Sequence, residues 1–207
     1  MSCLKDGVGG GRGRPRGFDT DAALDAAMHL FWRKGYRATS LDDLVAATGA
    51  SRASLYKLWG DKSALFVACL DLYGARFAAR VDALLARALP GREAMRMLLD
   101  ASADRRSGSE APAGCLRCNS TLEVMGSEAA LDAALVRANA AFLDALARLT
   151  AAAAGRGEIP PDRARPLAVF FTGVVNGMAT LSCGGATREE LAALIDTALA
   201  AWPAPPG

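Results

Sequence analysis

Apolar residues recur at three- and four-residue intervals along most of this chain, and no run shows the apolar–polar alternation of a half-buried strand. Glycine, proline and capping residues divide the pattern into segments of helical length. The hydrophobic share of 52% is ample for a core in a chain of 207 residues. The spacing therefore predicts an all-α protein. The predicted helices span about 20–34, 41–48, 52–59, 62–89, 92–105, 116–125, 128–154, 162–183 and 187–202. Ser127 is expected to cap the helix 128–154, and Gly74 allows an interruption of the helix 62–89.

Two short helices joined by a tight turn form the most informative segment. Ser40 is expected to cap the first, with Asp43 completing a capping box, and Gly49 is expected to end it. Ser51 is expected to cap the second. Because helices of eight residues do not persist alone in water, they need support, which the amphipathic helix 20–34 can supply. The three helices predict a helix-turn-helix unit that binds DNA.

The helix after the turn is expected to turn Leu55, Leu58 and Trp59 inward. Its outward side carries two cations and no acid, as expected of a helix that lies in the major groove. For one outward residue, Tyr56, partial burial is the alternative. The residues predicted to face outward are Arg52, Ser54, Tyr56 and Lys57.

Residues 20–66 resemble the TetR family of bacterial regulators. The matching residues are Ala26-Ala27-Met28-His29-Leu30-Phe31-Trp32-Arg33-Lys34-Gly35-Tyr36, Thr39-Ser40-Leu41, Gly49, Ser51, Leu55-Tyr56, Trp59 and Lys62. Trp59 stands where the family usually has Phe, and Ser63 where an acid is common. The resemblance implies phosphate contacts near Thr39, Ser40 and Lys62, although a solvated charge is the alternative for Lys62.

The first seventeen residues are predicted to be a disordered basic arm, because their glycine-rich composition leaves little to bury. Three arginines among small residues suit a minor groove, and a solubilising tail is the alternative. The full set of predicted DNA-binding residues is Arg12, Arg14, Arg16, Thr39, Ser40, Ser51, Arg52, Ser54, Tyr56, Lys57 and Lys62.

The predicted domains are the basic arm at 1–17, a helix-turn-helix domain at 18–65 and a helical regulatory and dimerisation domain at 66–203. The formal net charge of +2 is distributed unevenly. Residues 1–66 hold ten Lys/Arg and seven Asp/Glu, whereas the remainder holds fourteen and fifteen. This modest basic bias lies at the end expected to bind double-stranded DNA.

The resemblance also implies a ligand pocket and a homodimer interface in the second domain. Each apolar candidate has ordinary protomer core as its alternative. The effector is unidentified, and an apolar or aromatic small molecule is expected. The candidate pocket residues are Met95, Leu99, Leu122, Met125, Phe142, Leu146 and Phe170. The candidate interface residues, in the last two helices, are Phe170, Val174, Met178, Leu194 and Leu199.

The segment 167–183 has no charged residue, so a membrane span is an alternative. It is slightly short for a span and contains several polar residues, which favours a helix buried on most faces in a protein without a membrane partner. No apolar leader is visible near the N-terminus. The five cysteines, an odd number, suggest reduced thiols and a cytoplasmic location.

Two cysteines lie close together in the run Gly114-Cys115-Leu116-Arg117-Cys118-Asn119. The run resembles a Gly-Cys-Leu-x-x-Asn segment of a TetR subgroup, some of whose members sense oxidants or electrophiles through a thiol. Cys115 at a helix start, near Arg117, is expected to favour thiolate, with Cys118 as a resolving thiol. Two buried, unreactive thiols are the alternative. A zinc site is not expected, because no second cysteine pair matches.

The sequence therefore favours a homodimeric repressor that binds an inverted-repeat operator and is released by a small molecule or by thiol modification. A thiol-based redox protein and a helical adaptor without DNA binding are the alternatives. No enzyme is expected, because the chain has a single histidine and no phosphate-binding glycine loop. No cofactor or metal is expected.

Overall fold

The computed structural model describes residues 19–107 and 112–204, and within these ranges it contains helices and no β-strand. This confirms the all-α prediction. The helices are α1 (Thr20–Lys34), α2 (Leu41–Thr48), α3 (Arg52–Trp59), α4 (Lys62–Ala86), α5 (Gly91–Ser107), α6 (Leu116–Val124), α7 (Ala129–Gly155), α8 (Ala164–Cys183) and α9 (Arg188–Leu199), with a 3₁₀ turn at Pro161–Arg163.

The caps of α2 and α3 are those that the sequence predicts. Ser40 and Asp43 form both halves of a capping box at the start of α2. Gly49 ends α2 in the left-handed conformation, at φ +67°, where a side chain would be strained. The Ser51 hydroxyl accepts the backbone N–H of Ser54 at 3.1 Å and so caps α3. These bonds fix the turn between the two short helices.

The helix-turn-helix unit shares its hydrophobic core with later helices. Phe31 of α1, Leu44 of α2 and Leu55 of α3 are buried in one cluster that also contains side chains of α4. Leu116 of α6 and Leu135 of α7 belong to the same cluster. The packing therefore continues past residue 65, where the sequence places a domain boundary.

A second core lies farther along α4 and α7, where α5, α8 and α9 join them. Phe77 of α4 and Phe142 of α7 stack there with ring centroids 4.1 Å apart. Both α4 and α7 are continuous through the two cores. Gly74, where the sequence allows an interruption, lies inside an unbroken α4. The 25 residues of α4 give it a length of about 37 Å.

The start of α7 differs from the prediction. Ser127 does not cap α7, because its hydroxyl donates back to the carbonyl oxygen of Val124 at 2.6 Å. Gly126, at φ +85°, makes the turn between α6 and α7. The helix starts at Ala129, and its N-cap residue Glu128 makes no side-chain capping bond.

The prediction that 167–183 is buried on most faces is wrong for a single chain. Residues Pro161–Cys183 are long and apolar enough to cross a membrane, and 33% of the most apolar window is buried. Val169, Phe170 and Leu181 are large, apolar and exposed on α8. One such helix is weak evidence for a membrane span, but its apolar exposed face needs an explanation.

Alanine substitutions at two glycines should change the free energy of unfolding in opposite directions. A Cβ at Gly91 would lie 2.5 Å from the Ala153 Cβ and 2.9 Å from the Trp202 ring, whereas nothing lies within 4 Å of one at Gly74. We expect Gly91→Ala to lower the free energy of unfolding by about 1–3 kcal/mol. Gly74→Ala should raise it by about 0.5–1 kcal/mol, because alanine costs less backbone entropy in a helix. Urea denaturation measures both, and equal effects would contradict the packing described at Gly91.

Candidate nucleic-acid interface

The third helix presents a polar surface above a buried apolar anchor. Leu55 is buried, and Trp59 packs against the core. Arg52 and Lys57 are exposed, and Tyr56 is 52% exposed, so these three side chains lie on the surface as predicted. The inward orientation predicted for Leu58 is wrong, because this side chain is 44% exposed. It adds an apolar group to the exposed part of α3.

Three predicted contact residues at the start of α3 are engaged within the protein. The Ser51 and Ser54 hydroxyls are hydrogen-bonded to each other, with their oxygens 2.9 Å apart. The Arg52 guanidinium forms an ion pair with Asp42 of α2, and both side chains are largely exposed. An exposed pair of this kind contributes little stability, so Arg52 can exchange Asp42 for another anion at small cost.

The turn before α2 places Thr39 and Ser40 differently. Thr39 is buried, and its hydroxyl donates to the carbonyl oxygen of Gly35 at 2.5 Å. Its side chain therefore stabilises the turn and does not lie on the exposed surface where the sequence places it. Ser40 is exposed, and its hydroxyl donates to the Asp43 carboxylate at 2.6 Å.

Basic side chains flank these turns. Lys34 of α1 lies 2.5 Å from the Asp43 carboxylate, and this bond, together with those from Ser40, holds the pKa of Asp43 well below its usual range. Lys62, the first residue of α4, is half-buried with its Nζ 4.4 Å from the centre of the Tyr36 ring. Burial lowers the pKa of Lys62. Arg12, Arg14 and Arg16 lie outside the described residues.

A carboxylate from α6 binds the helix-turn-helix unit. Glu123 accepts the backbone N–H groups of Tyr36 at 3.0 Å and of Arg37 at 2.8 Å, in the turn between α1 and α2. At the other end of α6, the Trp32 indole N–H donates to the carbonyl oxygen of Ala113 at 3.2 Å. The sequence gives no sign of these contacts, because the partners are more than 80 residues apart.

The seven predicted pocket residues do not share one environment. Met95, Leu99 and Leu146 are fully buried in the second core. Phe142 stacks on Phe77, while Met125 and Phe170 are exposed. A cavity of about 240 Å³ opens between α6, α7 and α8, and of the seven only Leu122 lines it. The lining residues are Arg117, Cys118, Thr121, Leu122, Asn139, Asn176 and Thr180.

The two predicted thiols lie at the start of α6. Cys115 is buried, and the Tyr73 hydroxyl donates to its Sγ at 3.3 Å. Hydrogen bonding with Cys118 and the charge of Arg117 outweigh burial and place the pKa of Cys115 well below its ordinary value. The Cys118 thiol donates to the Asn176 Oδ1 at 3.2 Å. Within residues 19–107 and 112–204, no group of three metal-ligating side chains converges.

The five predicted interface residues divide into three groups by their exposure. Met178 and Leu199 are fully buried in the protomer core, so their side chains have no surface to offer a second chain. Val174 and Leu194 are half-buried against the same core. Phe170 is exposed on α8 and remains a candidate.

Comparison with known proteins places the chain in a family. The family model for bacterial regulatory proteins of the tetR family matches residues 23–69. The transcriptional repressor ComR of Escherichia coli is 38% identical over 194 residues, which are 93% of this chain and 92% of ComR. The repressor BdcR of Escherichia coli is 30% identical over 186 residues, which are 87% of each chain.

A solved structure supports the same assignment. It is a cysteine variant of the TetR family transcriptional regulator CifR in complex with a 26-bp double-stranded operator DNA. The match has a TM-score of 0.81 and 32% identity, and it covers 92% of this chain and 100% of the CifR chain. The chain therefore belongs to the TetR family of bacterial regulatory proteins, as a transcriptional regulator with a DNA-binding helix-turn-helix domain.

Proposed function

We propose that this regulator is a repressor that binds an inverted-repeat operator as a homodimer, with α3 in the major groove. The observation that carries the proposal is the exposed face of α3, where Arg52, Tyr56 and Lys57 stand on a capped helix with a buried anchor. The CifR operator complex supports it, because that fold binds duplex DNA.

The contacts proposed for DNA differ in kind. Lys57 and Lys62 are suited to phosphates, which fix position without reading sequence. Arg52 and Tyr56 are suited to base edges, where a guanidinium recognises guanine and an aromatic ring packs on a thymine methyl. The Arg52–Asp42 pair would open as Arg52 enters the groove. Ser40 and the N-terminus of α2 would meet the backbone at the edge of the site.

The exposed face of α8 supports the homodimer. Val169, Phe170 and Leu181 are exposed there, and Gly173 and Gly177 lie between them at a spacing of four residues. Four-residue spacing places side chains on one helix face, and the two glycines leave room for a second helix to approach. A second copy of α8 would cover this apolar surface, which is otherwise left in water.

Two copies are needed because one short helix reads few base pairs. A twofold dimer presents two copies of α3 to half-sites about 34–36 Å apart, or a multiple of that distance. The operator is then an inverted repeat that matches the symmetry of the protein. A change in the separation of the two helices would weaken binding, because both half-sites must be occupied together.

Helix α6 is proposed to transmit effector binding to the helix-turn-helix unit that contacts DNA. Its first two turns line the cavity of about 240 Å³, and Glu123 in its last turn holds the backbone amides of Tyr36 and Arg37. A ligand that shifts α6 would therefore act directly on the turn between α1 and α2. Phe142 touches this region through Arg117, whose guanidinium lies 4.2 Å from the centre of the ring.

Thiol modification is the second proposed trigger. The Cys115 thiol accepts a hydrogen bond from Tyr73 at the start of the same helix, and Cys118 borders the cavity. Oxidation by an organic peroxide would join the Cys115 and Cys118 sulfurs in a disulfide and release an alcohol and water. The subgroup resemblance of residues 114–119 supports this trigger, and either event would act through α6.

Replacing Lys57 should weaken DNA binding uniformly across sequences. We expect Lys57→Ala to reduce the slope of log K against log salt by about 0.9 per phosphate contact, and so by about twice that for a dimer. Fluorescence anisotropy on the duplex upstream of the regulator's own gene measures the slope. Arg87→Ala, which removes an exposed cation at the distal end of α4, is the control and should leave the slope unchanged. A Lys57→Ala slope equal to that of wild type contradicts the phosphate contact.

A charge on α8 should separate the protomers. Val169 and Val136 are similarly exposed, at 53% and 60%, but Val136 lies on α7. We expect Val169→Glu to sediment as a monomer at micromolar concentration, because the interface would bury two carboxylates. Val136→Glu should sediment as the wild-type dimer. A dimeric Val169→Glu protein would argue against this face as the interface.

Neutralising Glu123 should loosen the turn between α1 and α2. Hydrogen bonds to a charged group contribute about 1.5–3 kcal/mol, so Glu123→Gln should speed amide exchange at Tyr36 and Arg37 by about tenfold or more. Hydrogen exchange followed by NMR reports both amides. Glu93→Gln, an exposed site in the first turn of α5, is the matched control. Unchanged protection at both amides would show that Glu123 does not hold the turn.

A further inference from the structure

One buried cation lacks an acid partner. Arg117, in the first turn of α6, is 4% exposed. Its Nη1 donates to the Asn139 Oδ1, and its Nη2 donates to the Asn176 Oδ1 at 2.5 Å and to the Cys118 Sγ at 3.4 Å. Its Nε has no acceptor. In the described part of the chain, no carboxylate forms an ion pair with this guanidinium.

Ion-paired arginines elsewhere in the structure are more exposed than Arg117. Arg188, which pairs with Asp100 and Asp104, has 33% of its side chain exposed. Burying a cation away from water is costly unless an anion or several hydrogen bonds replace its hydration. Arg117 is held by two amide oxygens, the Cys118 sulfur and the face of Phe142, and none of these groups is a carboxylate. The described part of the chain therefore gives this buried guanidinium no carboxylate partner.

The guanidinium borders a cavity. The space of about 240 Å³ is lined by Arg117 together with two amides and two threonine hydroxyls, from Asn139, Asn176, Thr121 and Thr180. Several of these groups are bonded within the protein, as the Asn139 amide is to the Thr121 hydroxyl oxygen at 3.2 Å, so a small polar ligand would share or exchange these bonds. The volume is below the range of about 300–1,000 Å³ that is usual for drug-sized ligands, so the ligand must be small.

We propose that this cavity binds a small organic carboxylate through Arg117. A planar guanidinium matches a carboxylate in shape and charge, and the pair forms two parallel hydrogen bonds. The ligand supplies the carboxylate that the protein does not, and its remaining polar atoms can share the hydrogen bonds of the lining side chains. Leu122 and the aliphatic parts of the threonines leave room for a small apolar body.

This proposal rests on the proposed function, since it names the chemical class of the effector. Arg117 and Glu123 are six residues apart on the same nine-residue helix, which corresponds to about 9 Å along its axis. A carboxylate that draws Arg117 into the cavity therefore moves the helix that holds the turn between α1 and α2. Binding and DNA release are measured separately, so each can fail alone.

The test compares benzoate with benzamide, its neutral analogue of the same shape, on the reduced full-length protein. Isothermal titration calorimetry should show benzoate binding at least about tenfold more tightly than benzamide. Arg117→Met should weaken benzoate binding by at least about tenfold, whereas Arg148→Met, at an exposed ion pair with Asp82, should not. No benzoate binding to wild type at about 10 mM, or equal binding of the two probes, overturns the proposal.

A second variant does not require removal of the arginine. Asn176→Asp places a carboxylate beside the Arg117 Nη2, where Asn176 Oδ1 now lies at 2.5 Å. This variant should raise the melting temperature and abolish benzoate binding, because the protein then supplies its own carboxylate. A lowered melting temperature, or benzoate binding as in wild type, counts against a site that lacks a carboxylate.

The DNA measurement distinguishes the two proposals. Anisotropy on the upstream duplex, with and without benzoate, should show a loss of affinity that Arg117→Met does not show. Benzoate that binds without changing DNA affinity contradicts ligand release through α6 and leaves the carboxylate site intact. DNA binding that persists while benzoate fails to bind contradicts the carboxylate site and leaves the repressor proposal intact.

Discussion

The position of α3 depends on a core that α3 cannot provide by itself. A helix of eight residues is unstable in water, so its one buried leucine must be held by neighbouring helices. Side chains from α1, α2, α4, α6 and α7 complete that core. The surface offered to DNA is therefore fixed by residues up to about 80 positions away in sequence. A shift of these helices would change the core beneath α3, which makes the arrangement suitable for regulation.

Helix α6 carries three features within nine residues. It carries the buried Arg117 and the cysteine pair at its start, part of a cavity along its side, and Glu123 at its end. The buried cation gives the cavity a chemical preference, and the carboxylate at the other end ties the helix to backbone amides of the DNA-binding unit. Arg117 borders the cavity and Glu123 contacts the DNA-binding unit, so α6 is well placed to couple the two.

Local signals in the sequence predicted the local structure well. Ser40, Gly49 and Ser51 act through neighbours within four residues, so their caps could be placed from the sequence. Contacts between distant segments could not. Nothing in the sequence distinguishes Glu123 from other acids, and Ser127 resembles a cap although its hydroxyl turns backward. Apolar periodicity also does not separate core from pocket or interface.

The mass of the protein–DNA complex tests the account most directly. Sedimentation of the wild-type protein with a duplex that contains the inverted repeat should give two chains per duplex. A duplex with one half-site scrambled should bind far more weakly, because both copies of α3 must be engaged. One chain per duplex, bound equally well to the intact and scrambled sites, would contradict the binding of one operator by two copies of α3.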